Sequence, residues 1–441
     1  MLHRGPNGGN VWLSPDNVVG MGHRRLSIID LSENAFQPMF NEDKTVAVTF
    51  NGEIYNHREI RKELEKTGNH VWLTDHSDTE VILHAYEEWG INCIKRFRGM
   101  FAIFLWDSKK KIAYAVRDRM GIKPFYYMLK DSIFTFASDL NALFKVMEYK
   151  PELNIRAVYD YMTFLCSPGE ETIYSDILKL RPATIMEINI STGSIKKRKY
   201  WDVLDNFDAD IYNSSEEDII YAVIDELKTS VNLRKESDVP VGIFLSGGVD
   251  SSTNAVMFAQ GERSNIQTFS IGYDKKYIGC SSELEYARVI AEMIKSEHHE
   301  LVMDEEKTLS FMDDLIKFQG EPIADPVCIP VYYLSRLAKD NGVFVCQVGE
   351  GADELFAGYT KWNRFLKLET LSRKTQSFNM IKRLVCEFFW GIGEEQRTRY
   401  EYLHRSMNNL PIYWSESECM HEVQKKKLFS EEVIKQYSGY S

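Results

Sequence analysis

From residue 1 to about 205, apolar residues come in short β-rich runs set off by turn formers. Residues 45–50 predict a strand that ends in a turn at Asn51-Gly52. Residues 101–106 and 111–116 predict a hairpin about the polar stretch that begins Asp107-Ser108-Lys109, and 125–128 and 133–137 flank Lys130-Asp131 in the same manner. One helix is predicted over 79–89, where Val81, Ile82, Ala85 and Trp89 fall near helical spacing and Gly90 supplies the stop. This mixture reads as α+β with mostly antiparallel strands.

The pattern then changes. Residues 200–215 are polar and acidic, as in a linker, and Ser214 and Ser215 offer N-caps with Glu217 and Asp218 three residues on. Ile219, Ile220, Val223, Ile224, Leu227 and Val231 form a helical apolar face behind them. Strands and helices now alternate: strand 241–245, helix 253–260, strand 267–272, helix 283–294, strand 299–303, helices 307–318 and 331–339, strand 343–348. Alternation of this kind predicts an α/β, doubly wound parallel sheet covered on both faces, with ligands beyond the carboxyl ends of the strands. Two domains are expected, 1–205 and 212–441.

Composition narrows the function classes. A net charge of -12 and a pI near 5.5 repel phosphate backbones, so nucleic acid is not an expected partner. No run approaches the ~20 apolar residues of a membrane span, and residues 1–9 lack a signal-peptide layout. Cysteines stand at 93, 166, 280, 328, 346, 386 and 419 with no CxxC pair, which reads as reduced, mostly buried cytoplasmic thiols.

Two glycine loops carry the candidate chemistry. Ser246-Gly247-Gly248-Val249-Asp250-Ser251-Ser252 follows an apolar strand and opens a helix. Its glycines let backbone approach a ligand, its hydroxyls add donors, and the helix start favours an anion, so the loop suits phosphate. A carboxylate inside such a cradle calls for a cation, and Asp250 therefore implies Mg²⁺ on a pyrophosphate. The second loop, Gln347-Val348-Gly349-Glu350-Gly351-Ala352-Asp353-Glu354, alternates glycine with acid at the end of the strand 343–348.

With Leu355-Phe356-Ala357-Gly358-Tyr359, these strings resemble the asparagine synthetase family of PP-loop ATP pyrophosphatases. The first half resembles the same family's N-terminal nucleophile-type glutaminase domain. The strings are His23-Arg24-Arg25-Leu26-Ser27-Ile28-Ile29-Asp30, Gln37-Pro38-Met39, Phe50-Asn51-Gly52-Glu53-Ile54-Tyr55-Asn56, Ser77-Asp78-Thr79-Glu80 and Arg117-Asp118-Arg119-Met120-Gly121-Ile122-Lys123-Pro124. The resemblance implies glutamine binding by Arg25, Leu26, Asn51, Gly52, Glu53 and Asp78. Arg25 would take the α-carboxylate, Asp78 the α-ammonium, and Asn51 with the Gly52 N–H the oxyanion hole. It implies ATP binding by Leu245, Ser246, Gly247, Gly248, Asp250, Ser251, Ile271, Val348 and Gly349, Mg²⁺ held by Asp250 and Asp353, and Glu350 acting near the acyl-adenylate.

The implied reaction is a cytoplasmic carbon-nitrogen ligation: aspartate, ATP and glutamine or ammonia give asparagine, AMP and pyrophosphate. Another acceptor carboxylate (a sugar uronic acid or an antibiotic precursor) and a non-catalytic ATP-binding remnant are the alternatives, and the resemblance leaves room for a homodimer. Taken singly, Arg25 is an ordinary surface cation, Asn51-Gly52 a plain hairpin turn and Asp78 an N-cap. The family's nucleophile is an N-terminal cysteine, whereas this chain opens Met1-Leu2-His3, and it stops at Ser441 before the synthetase stretch closes. Both ends therefore read as those of a fragment, without the glutaminase step. Asn7 and Val348 are smaller departures, standing where relatives usually carry Asp and often Ser.

Overall fold

The computed structural model describes residues 1–262, 266–273, 283–392, 394–412 and 419–438. Cys280 lies outside them. Two compact units result, and they do not follow chain order. One comprises 1–149, 179–314 and 328–349, and the other 150–178, 315–327 and 350–441.

In the first unit, the strands Met39–Phe40, Val46–Ile54, Gly99–Asp107, Ile112–Arg117, Thr184–Asn189 and Ser194–Lys199 form an antiparallel sheet in that order. Both predicted hairpins are present, the second pairing Tyr126–Lys130 with Ile133–Ala137 through left-handed Asp131 and Ser132. The predicted helix spans Asp78–Trp89 and ends at Gly90. A helix at His57–Glu65 was not foreseen; Ile60 and Leu64 turn into the core with Val81, Ile82 and Ala85.

The Asn51-Gly52 turn is corrected. Val46–Ile54 runs straight through it, with Asn51 opposite Ala102 and Gly52 opposite Phe101. Continuous pairing with Gly99–Asp107 outweighs the local turn preference of Asn-Gly. A Cβ on Gly52 would lie 2.0 Å from the Met100 carbonyl oxygen, so glycine serves close approach of two strands.

The same unit holds a four-stranded parallel sheet in the order Glu297–Met303, Gln267–Tyr273, Val241–Phe244, Val345–Gln347. Ser215 caps the helix Glu216–Leu233, accepting from the Asp218 N–H. Val231 from that helix, Ala255 and Phe258 from Val249–Ala259, and Ala287 and Ala291 from Leu284–Met293 pack with Ile243 and Leu245. Phe269 packs with Leu334 and Ala338 of Cys328–Asp340 in a separate cluster. The sheet is thus covered on both faces, as a doubly wound α/β arrangement requires.

The second unit is helical. Tyr159 is buried beside Phe429, its hydroxyl donates to Glu422, and the Lys425 Nζ sits 3.8 Å from its ring centroid. Among the described cysteines, Cys93 and Cys386 are buried, Cys328 and Cys346 half-buried, and Cys166 and Cys419 exposed, which corrects the expectation of mostly buried thiols. No helix among the described residues is long and apolar enough to cross a membrane.

Candidate functional site

Period-two alternation builds the first site. Along Val46–Ile54, Val48, Phe50 and Ile54 enter the core, which turns Thr49, Asn51 and Glu53 to the opposite face. There a cavity of about 490 Å³ opens. Arg25, Leu26, Asn51, Gly52, Glu53 and Asp78 all line it. So do His23, Gln37 and Lys123, to which the sequence assigned no role.

Arg25 is not a surface cation; it is 6% exposed and donates to the carbonyls of Ile29, Asp30 and Ser32, at 3.1 Å for Ile29 and 2.8 Å for Ser32. Asp78 is not an N-cap. Ser77 caps the helix, and Asp78 Oδ2 accepts from the Ile54 N–H at 3.0 Å. Gln37 joins strand to helix, accepting from Phe50 N–H at 2.6 Å and donating to Thr79 Oγ1 at 3.2 Å.

The cavity holds charge out of water. Burial pushes Asp78 up to about 6, against the Ile54 and Thr79 N–H groups and Arg25. Burial and the neighbouring Asp78 push Glu53 up to about 8, so Glu53 is largely a neutral acid at pH 7. Burial lowers Lys123, with Arg4 adding repulsion. The Asn51 Nδ2 is buried and has no hydrogen-bond partner in the protein. An orphaned donor in a polar cavity beside a buried cation is an arrangement for receiving an amide or carboxylate oxygen.

The second site lies at the carboxyl edge of the parallel sheet. Val241–Phe244 and Val345–Gln347 are neighbours, so the loops that follow them are adjacent. A Cβ on Gly349 would stand 3.0 Å from the Asp250 carbonyl carbon and oxygen and the Ser251 nitrogen. Gly247, at φ +90°, would with a Cβ meet Ala287 N at 2.8 Å and Glu283 O at 2.9 Å. Ser246 and Ser251 hydroxyls bond each other at 2.9 Å, and Ser246 Oγ accepts from Gly248 N–H at 3.2 Å, which shapes the loop before Val249–Ala259. Leu245 is buried, its N–H donating to Phe269 O at 2.9 Å; Ile271 is half-buried in the neighbouring strand, and Val348 is exposed. A glycine-lined cradle with an oxygen donor at Asp250 fits a phosphate with a hard cation.

Glu350 and Asp353 belong to the helical unit. Gly351 precedes the short helix Ala352–Phe356; Glu350 is exposed and Asp353 half-buried. A Cβ on Gly358 would fall 1.9 Å from Asp353 Oδ1, so glycine there makes room for that carboxylate.

Two family models match the chain: a glutamine amidotransferase domain over residues 1–201 and asparagine synthase over 222–436. A glutamine-hydrolysing asparagine synthetase of Bacillus subtilis (strain 168) is 36% identical over 373 residues, 85% of this chain and 56% of the relative. A Methanocaldococcus jannaschii protein, provisionally assigned as a glutamine-hydrolysing asparagine synthetase, is 34% identical over 383 residues, 81% of this chain and 70% of the relative. The amidase chry2 of Gibberella zeae is 30% identical over 374 residues, 81% of this chain and 54% of that protein. The chain thus spans little more than half the length of the Bacillus relative.

Proposed function

The chain belongs to the asparagine synthase family, with a glutamine amidotransferase domain ahead of its synthase region, and on that premise we propose that it takes part in ATP-dependent amidation of aspartate with nitrogen from glutamine or ammonia. The observation that carries the nitrogen-donor half is the single cavity shared by Arg25, Asn51, Gly52, Glu53 and Asp78, with the buried Asn51 amide unpartnered.

In that cavity the Arg25 guanidinium takes the α-carboxylate of glutamine and the Asp78 carboxylate its α-ammonium. Asn51 Nδ2 and the Gly52 N–H take the side-chain amide oxygen, where negative charge grows as the amide is attacked. Glu53, kept protonated by burial and by Asp78, adds no second negative charge at neutral pH.

At the sheet edge, Ser246 to Ser251 and Gly349 cradle the ATP phosphates, with Leu245, Ile271 and Val348 beside the nucleotide. Asp250 is the group of this unit that would hold Mg²⁺, which supplies charge neutralisation on the pyrophosphate. The aspartate side-chain carboxylate attacks the α-phosphorus, pyrophosphate leaves, and ammonia displaces AMP from the resulting β-aspartyl-adenylate. The test is incubation of the chain with ATP, Mg²⁺, aspartate and ammonium. AMP and asparagine in equal amounts are expected. AMP release with a different acid, and none with aspartate, would replace the acceptor; ATP binding with no AMP from any acid would replace the enzyme by a nucleotide-binding protein.

A further inference from the structure

Away from both sites, the later turns of Asp78–Trp89 carry His84 and Glu87, and the segment after His57–Glu65 brings His70 to them. Glu42, in the turn before Val46–Ile54, closes the group. One ligand-type atom from each of these four residues lies within 4.8 Å of the others.

The imidazoles are oriented alike. The Nδ1 atoms of both turn to Glu87 Oε2, 2.9 Å from His84 and 3.6 Å from His70, and His84 Nδ1 is 3.9 Å from Glu42 Oε1. Four donors about 2.0–2.2 Å from Zn²⁺ in a tetrahedron stand roughly 3.4 Å apart. The three separations bracket that value.

The outer nitrogens each stand near a further carboxylate. His84 Nε2 faces Glu80 Oε1 at 3.7 Å, and His70 Nε2 faces Glu88 Oε2 at 3.8 Å. Both nitrogens are buried without a hydrogen bond in the protein. Metal-bound histidines characteristically present the second ring nitrogen to a carboxylate. Meanwhile Asn41 Nδ2 donates to Glu87 Oε1 at 2.6 Å, which leaves Oε2 aimed at the histidines.

We propose that Glu42, His70, His84 and Glu87 form a divalent transition-metal site, suited to Zn²⁺, that pins the helix bearing Asp78. Two imidazoles with two carboxylates favour Zn²⁺ and its neighbours over Mg²⁺ or Ca²⁺. Without metal, the same four groups make an ion-pair network.

The full chain, stripped with a chelator, is titrated with Co²⁺ and then Zn²⁺. One equivalent of Co²⁺ is expected to give the intense visible bands of four-coordination, lost on adding Zn²⁺. His70→Ala, in a largely exposed segment, and Glu87→Gln should each weaken Zn²⁺ at least about tenfold with unchanged circular dichroism. Absence of the bands at one equivalent overturns the site. So do bands and affinity that are the same in both variants, because the metal is then held elsewhere.

Discussion

Asp78 shows how burial sets the working range of a side chain. Its carboxyl is held at about 6, against an ordinary value of 3.8, because desolvation outweighs the Ile54 and Thr79 N–H groups and the field of Arg25. Only the ionised form can pair with the α-ammonium of glutamine. Glutamine affinity, measured by calorimetry from pH 7 down to 5, should therefore hold near 7 and fall about tenfold per unit once well below 6. Asp78→Asn should bind weakly at every pH and lose that slope. A wild-type affinity that is flat from pH 7 to 5 would remove Asp78 from ammonium recognition.

Among the elements, Val46–Ile54 carries both the packing and the chemistry, and adjacent residues in it have opposite tolerances. A Cβ on Gly52 would overlap the Met100 carbonyl oxygen, and strand pairing leaves no slack to relieve it. Gly52→Ala should lower the unfolding free energy by roughly 3 kcal/mol, read from the shift of the urea midpoint. Asn51→Ala removes an amide nitrogen that no protein group satisfies, so its midpoint should stay within about 0.5 kcal/mol of wild type while glutamine affinity drops. Equal destabilisation by the two changes would mean that Asn51 is a structural residue.

Across the first unit, one short loop serves both sites. The carbonyls of Ile29, Asp30 and Ser32 receive Arg25 on one side. On the other, Asp30 N–H donates to Asp238 Oδ2 at 2.7 Å, and Asp238 N–H returns a bond to Ile28 O at 2.9 Å. His76 Nε2 stands 2.6 Å from the same Asp238 oxygen, while Arg58 pairs with Glu236. Asp238 lies just before Val241–Phe244, the strand that leads into the phosphate loop. Burial opposes charge on His76, but Asp238 and Asp75 outweigh it and raise its pKa. The clamp's contribution is thus complete below pH 6.5 and fades as pH rises through the folded value. Asp238→Ala should cost about 1–2 kcal/mol at pH 6, and the difference from wild type should shrink by pH 9 in paired denaturation curves. A difference that does not change with pH would show that His76 contributes no charge to the clamp.

Much of the fold was legible in the chain. Short β-rich runs set off by polar turn residues marked the two hairpins, the 3.6-residue period marked Asp78–Trp89, and strand–helix alternation marked the parallel sheet, because these patterns record which segments must pair or bury a face. The glycine loops were legible for a similar reason: few residue types allow backbone to approach as closely as Gly349 does to Asp250. What the chain alone misplaced depended on partners distant in sequence. Asn51-Gly52 reads as a turn until Gly99–Asp107 pairs alongside it, and Arg25 reads as exposed until the carbonyls of residues 29–32 fold around it. The grouping of Glu42 and His70 with His84 and Glu87 has no local signal at all. Periodicity reports a residue's own face, whereas such a cluster exists only once separate segments pack together, and that was decided by the tertiary structure.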